Sequence, residues 1–131
     1  MKTLIVEDDF TSRLLLQEIL KSYGPCHIAV NGREAVDAAL LSLDAGEPYN
    51  LICLDIMMPE MDGQEALRTI REHEEARGIL SSKGAKIVMI TALGDLKNVK
   101  TAYSALCDGY LNKPIQKTKL LEELRKLNLI S

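Results

Sequence analysis

The sequence predicts an α/β fold: a three-layer sandwich built on a doubly wound, five-stranded parallel sheet. Three observations carry that prediction. Five short apolar runs, rich in Val, Ile and Leu, read as strands buried on both faces. Stretches whose apolar residues recur at helical spacing follow them, giving five helices. Gly, Pro and Asn fall at several of the joints. Such alternation argues for parallel strands joined by right-handed crossovers and covered on both sides.

Thr3–Val6 (TLIV) is the first strand. Leu15, Leu16, Ile19, Leu20 and Tyr23 then share a helical face, and Gly24-Pro25 stops that helix. Cys26–Val30 (CHIAV) is the second strand. The second helix starts at Asn31-Gly32, carries Ala35, Val36, Ala39, Leu40 and Leu43 on its face, and ends at Gly46 and Pro48. Leu51–Leu54 (LICL) is the third strand. Ala66, Leu67 and Ile70 open a third helix that runs on through REHEEAR (71–77), read as a solvated face. Lys86–Thr91 (KIVMIT) is the fourth strand, and Asp95 is the N-cap of a helix carrying Val99, Ala102, Tyr103 and Leu106. Gly109–Leu111 is a short fifth strand, and Ile115, Leu120, Leu121 and Leu124 form the face of the last helix. No internal repeat or low-complexity tract is present.

The chain has 131 residues, enough for one domain with a core of its own and no need of metal or disulfide staples. A net charge of -3 argues against a nucleic-acid footprint. Cys26, Cys53 and Cys107 are odd in number, far apart and in apolar surroundings, which reads as reduced, buried thiols of a cytoplasmic protein. No apolar run is long enough to span a bilayer, and no signal peptide is seen.

A doubly wound sheet places its ligand site beyond the carboxyl ends of its strands. Strand one ends in Glu7-Asp8-Asp9, strand three in Asp55, strand four in Thr91-Ala92, and Lys113-Pro114 follows strand five. With strands one and three adjacent, Glu7, Asp8 and Asp55 share one pocket. Three carboxylates in a partly desolvated site repel one another. A divalent cation relieves that repulsion, and an all-oxygen donor set with room for water and phosphate favours Mg2+. Lys113 brings a second positive charge. Asp55 beside two cations, with the Thr91 hydroxyl in reach, suits formation of an aspartyl phosphate. Each residue alone is weak evidence: a lone Asp is usually a turn former or cap, a lone Thr packs, and a lone Lys is solvated. Their combination at successive strand ends is specific.

With LIVEDD, LDIMMPEMDG, ITAL and YLNKP in place, the chain resembles the receiver domains of two-component response regulators over essentially its whole length. The resemblance implies flavodoxin-like strand order 2-1-3-4-5 and a single receiver domain over residues 1–131. It implies that Asp55 accepts a phosphoryl group from a histidine kinase or a histidine phosphotransfer protein. Asp8 and Asp55 would ligate Mg2+ directly and Glu7 at least through water, with the Met57 carbonyl completing the protein ligands. Lys113 would pair with Asp55 and then with the phosphoryl group, and Lys113-Pro114 would be a cis peptide. Thr91 and Tyr110 would form the switch pair, altering the face made by the fourth predicted helix, the fifth strand and the last helix. Read from the residue alone, Tyr110 is a half-buried strand aromatic with a wet hydroxyl.

Further expectations follow. No output domain comes after the last helix, so the chain reads as a stand-alone receiver that docks on a downstream protein target or relays phosphate; a fragment of a larger regulator is the alternative. It is not an enzyme beyond catalysing its own phosphorylation and dephosphorylation. A monomer or weak dimer is expected, with no nucleic-acid or membrane partner. Glu7 replaces the commoner aspartate, and Asp9 reads as a helix cap. LSLDAGEPYN (41–50) and HEEARGILSSKGAK (73–86) read as surface elaborations at the strand amino ends. Met57 and Leu93, each two residues beyond Asp55 and Thr91, offer no group to orient a water, which predicts slow loss of phosphate. Three rivals are weaker. A haloacid-dehalogenase-like phosphatase needs an aspartate where Met57 stands. A flavodoxin needs a phosphate loop where Glu7-Asp8-Asp9 would repel phosphate. A pseudo-receiver that is never phosphorylated has no reason to keep Asp8, Asp55, Thr91 and Lys113 together.

Overall fold

The computed structural model describes residues 1–56, 61–80, 83–92, 97, 100 and 106–131. The strands are β1 (Thr3–Val6), β2 (Cys26–Ala29), β3 (Leu51–Asp55), β4 (Lys86–Ala92) and β5 (Gly109–Lys113). The described helices are α1 (Phe10–Leu20), α2 (Gly32–Asp44), α3 (Gly63–Ala76) and α4 (Lys117–Lys126), with a 3-10 turn over Lys21–Tyr23. Of the helix expected after Asp95, the positions Asp95, Val99, Ala102 and Tyr103 lie outside the described residues.

All paired strands are parallel, in the order β2-β1-β3-β4-β5. Successive side chains of a strand point to opposite faces, so each apolar run feeds two cores at once. Leu4, Val6, Ile52, Leu54, Ile87 and Met89 pack under α2 and α3. Ile5, Leu51, Cys53, Val88 and Ile90 pack under α1 and α4. β1, β3 and the apolar centre of β4 are buried throughout, as continuous apolar runs require. Each fully buried aliphatic side chain contributes roughly 1.5–3 kcal/mol. The helices start where the chain offers caps: Asp9, Asn31 and Asp62 each accept a backbone N–H of the first turn.

Four expectations need correction. Leu15 is not on the buried face of α1; it is 41% exposed, while Leu16, Ile19 and Leu20 carry the contact. On α2, Ser42 rather than Leu43 is buried, its hydroxyl satisfied by the Ala39 carbonyl at 2.8 Å. REHEEAR is not a purely solvated face: Arg71 and Glu74 are 6% and 2% exposed, because each satisfies the other's charge at 2.7 Å. The segments 41–50 and 73–86 are not merely surface elaborations. Tyr49 and Ala85 are buried, and both segments line, with Leu129, a cavity of about 230 Å3 at the amino ends of the strands. Among the described residues no helix is long and apolar enough to cross a membrane.

Candidate functional site

The adjacency of β1 and β3 brings the acidic residues together. Val6 pairs with Leu54, so Glu7 and Asp55, one step further, emerge side by side. Glu7 is fully buried and Asp55 is 4% exposed, whereas Asp8 is open to solvent. One carboxylate oxygen from each of Glu7, Asp8 and Asp55 lies within 4.8 Å of the others. Thr91 stands one residue beyond Ile90, the partner of Asp55 on β4, and is 4% exposed. Lys113, at the end of β5, reaches back over the sheet. Its Nζ lies 3.3 Å from both Glu7 Oε1 and Asp55 Oδ2. The Lys113-Pro114 peptide is cis, as expected.

Electrostatics follow from this crowding. Burial, and then the adjoining Asp55 carboxylate, push Glu7 up from 4.5 to about 7. Burial disfavours the charge on Lys113, but Asp55 and Glu7 outweigh it and hold the ammonium above the ordinary lysine range. Glu7 Oε2 is buried and has no hydrogen-bond partner among the described residues. A buried, orphaned carboxylate oxygen in a cluster of three acids fits a hard cation.

Neighbouring residues shape the site. Asp9 caps α1 by accepting from Ser12 N at 2.9 Å, and its own N–H donates to Glu7 Oε1 at 3.1 Å. Arg13 donates to the Glu7 carbonyl at 3.3 Å, a contact with no sequence signal. Gly63 opens α3 directly against the end of β3, where any Cβ would overlap the Asp55 carbonyl oxygen. Tyr110 pairs with Met89, and its ring is half-buried with Lys100 Nζ 5.6 Å from the centroid. The Tyr110 hydroxyl is buried rather than wet, and this burial raises its pKa. Met57 and Leu93 lie outside the described residues.

Comparison with known proteins agrees with this architecture. Residues 3–125 match the family model of the response regulator receiver domain. The chemotaxis protein CheY of Halobacterium salinarum is 35% identical, over 94% of this chain and 92% of its own. Hybrid signal transduction histidine kinase G of Dictyostelium discoideum is 38% identical over 95% of this chain, which spans only 3% of that kinase. Two other histidine kinases are likewise far longer than the segment they share with it. The receiver domain of a sensor histidine kinase from Pseudomonas aeruginosa superposes with a TM-score of 0.74 at 26% identity, covering 97% of both chains. Its crystal structure carries a magnesium ion coordinated in the active site cleft.

Proposed function

This chain belongs to the response regulator receiver domain family, and from that premise we propose that it accepts a phosphoryl group on Asp55. The observation that carries the proposal is the single pocket holding Glu7, Asp8, Asp55 and the Lys113 ammonium. Asp8 and Asp55 would hold Mg2+ directly and Glu7 through water, with the Met57 carbonyl as a further ligand. When bound, the cation supplies positive charge to the transferring phosphoryl oxygens. The magnesium ion in the Pseudomonas receiver domain supports that assignment.

An Asp55 carboxylate oxygen attacks the phosphorus of a phosphohistidine. The new O–P bond forms as the N–P bond breaks, and the donor ring, protonated on its other nitrogen, leaves with the electron pair as a neutral imidazole. Lys113 moves from pairing with the carboxylates to pairing with the phosphoryl group, and the Thr91 hydroxyl donates to one of its oxygens. Thr91 and Tyr110 then bias the face that includes β5 and α4 toward a downstream protein. Beyond its own phosphorylation and dephosphorylation the domain catalyses nothing. The donor is a histidine kinase or phosphotransfer protein of the cytoplasm. It approaches over the start of α1, where Phe10 and Leu14 are 65% and 45% exposed next to the acidic cluster. With Met57 and Leu93 unable to orient water, the phosphoryl group persists for minutes or longer; rapid spontaneous loss from purified protein would contradict this.

Beryllofluoride, a phosphoryl mimic, tests the pocket. Binding that requires Mg2+ and disappears in Asp55→Asn is expected. Absence of Mg2+-dependent binding to the wild-type chain would leave a pseudo-receiver, an interaction module without turnover.

A further inference from the structure

The cavity at the amino ends of the strands lies at the far end of the sheet from the acidic pocket and takes no part in the chemistry above. It holds about 230 Å3. That exceeds the roughly 150 Å3 that admits a benzene-sized guest and falls short of the roughly 300 Å3 at which drug-sized sites begin. A ligand of one ring or one short chain fits such a space. Its walls come from the two segments, 41–50 and 73–86, for which the phosphoryl chemistry has no use.

Hydrogen bonds brace both segments. Glu74 is 2% exposed, and both its oxygens are committed: Oε1 accepts from Arg71 Nη1 at 2.7 Å and Oε2 from Ala85 N at 2.9 Å. Arg71 Nη1 also donates to the Ala85 carbonyl at 2.9 Å, and Gly84 lies so close to the Glu74 carboxylate that any Cβ would overlap it. In the other segment, the Tyr49 hydroxyl is 2.7 Å from His27 Nδ1. Asn50 Oδ1 accepts from Lys2 N at 2.7 Å, and Asn50 N donates to the Lys2 carbonyl at 2.9 Å. A ligand therefore meets preformed walls and loses little free energy in ordering them.

The composition of the wall selects the ligand. Leu43, Pro48, Ile79 and Leu129 supply apolar surface. Apart from the Tyr49 phenol, the ionisable side chains of the wall are Glu74, Lys83 and Lys86. Glu74 is neutralised by Arg71, so the remaining ionisable groups are both lysines, on a chain whose net charge is -3. Lys83 is exposed, and its flexible stem lets the ammonium follow a bound anion. A cation would be repelled here, and a wholly polar ligand would leave the apolar wall unmatched.

We propose that this cavity binds a small monocarboxylate with an apolar body, a phenylalkanoate or a short fatty acid, its carboxylate held by Lys83 and Lys86. The site is independent of phosphoryl transfer at Asp55.

The full chain is titrated with benzoate, phenylpropionate and hexanoate, and the backbone amide signals are followed by NMR. Saturable shifts centred on Asn50, Ala85 and Lys86 are expected for at least one acid. The matching neutral amide should bind at least tenfold more weakly. Lys83→Gln combined with Lys86→Gln should weaken the acid at least tenfold and leave the amide unchanged. Leu129→Trp and Ile79→Phe, which fill the cavity, should each weaken both, and the dispersion of the same spectra reports whether each variant is folded. No saturable shift with any of the three acids overturns the proposal. So does equal binding of acid and amide, binding that survives both filling substitutions in folded chains, or shifts centred elsewhere. Phosphorylation by acetyl phosphate and Mg2+ is expected in every variant; its failure in the wild-type chain would overturn the reading of Asp55 and leave the cavity proposal standing.

Discussion

Glu7 carries the sharpest conflict between environment and charge. Its folded pKa of about 7 stands above the unfolded 4.5, so the metal-free folded state binds more protons between those values. Metal-free stability should therefore fall as pH rises through that window. Glu7→Gln removes the repulsion and should raise metal-free stability at pH 8 by about 1–3 kcal/mol, while weakening Mg2+ binding. Urea unfolding in chelator and in excess Mg2+ checks both; no gain in chelator would contradict this. The acid cluster was legible because Glu7, Asp8 and Asp55 end apolar runs. Arg13 was not, because its contact with the Glu7 carbonyl depends on how α1 leaves the strand. The cysteines divide similarly. Cys53 is fully buried and pushed up to about 12, first by burial and then by Cys26. Cys107 is also buried, but Cys26 sits on the edge strand β2 and is only partly covered, which its apolar neighbours in sequence did not reveal. Partial burial raises the Cys26 thiol too, so with a thiol reagent at pH 8 Cys26 should label slowly but well ahead of Cys53, which should label only as the chain unfolds. Equal labelling rates would show that the burial pattern is wrong.

Among elements, strands were easier to read than helix faces. A strand such as LICL is apolar on both sides, so any register gives the same answer. A helix face depends on a rotation that sequence fixes only loosely, and Leu15 fell on the wrong side of it. Its exposure adds to Phe10 and Leu14, which leaves α1 with apolar surface close to the acidic pocket. Phe10→Asp with Leu14→Asp should lower phosphotransfer from a phosphohistidine donor at least tenfold, about 1.4 kcal/mol or more of lost docking. Phosphorylation by acetyl phosphate, which needs no docking, should be unchanged. Equal loss with both donors would mean damage to the pocket rather than to a docking face. REHEEAR failed for a different reason. Charge runs are normally solvated, and burial of Arg71 and Glu74 becomes favourable only because Asp108, Leu106 and Ala85, distant in sequence, supply partners.

At the scale of the molecule, the site is a product of topology. Placing β1 beside β3, and β4 beside both β3 and β5, lines up Glu7, Asp55, Thr91 and the reaching Lys113 at one end of the sheet. Alternation of elements made the α/β class legible, but the strand order came from resemblance, since periodicity alone does not say which parallel strands are neighbours. The cavity at the opposite end was invisible in sequence because it forms only where segments 41–50 and 73–86 meet Leu129. The convergence of two further carboxylates, Glu7 and Asp8, and the Lys113 ammonium on Asp55 is the centre of the account. Intact-mass spectrometry after incubation with acetyl phosphate and Mg2+ tests it most directly, with Asp55→Asn and chelator as controls. One added phosphoryl group, absent from both controls, is the result expected. A wild-type chain that gains none, or an Asp55→Asn chain that gains one equally well, would contradict it.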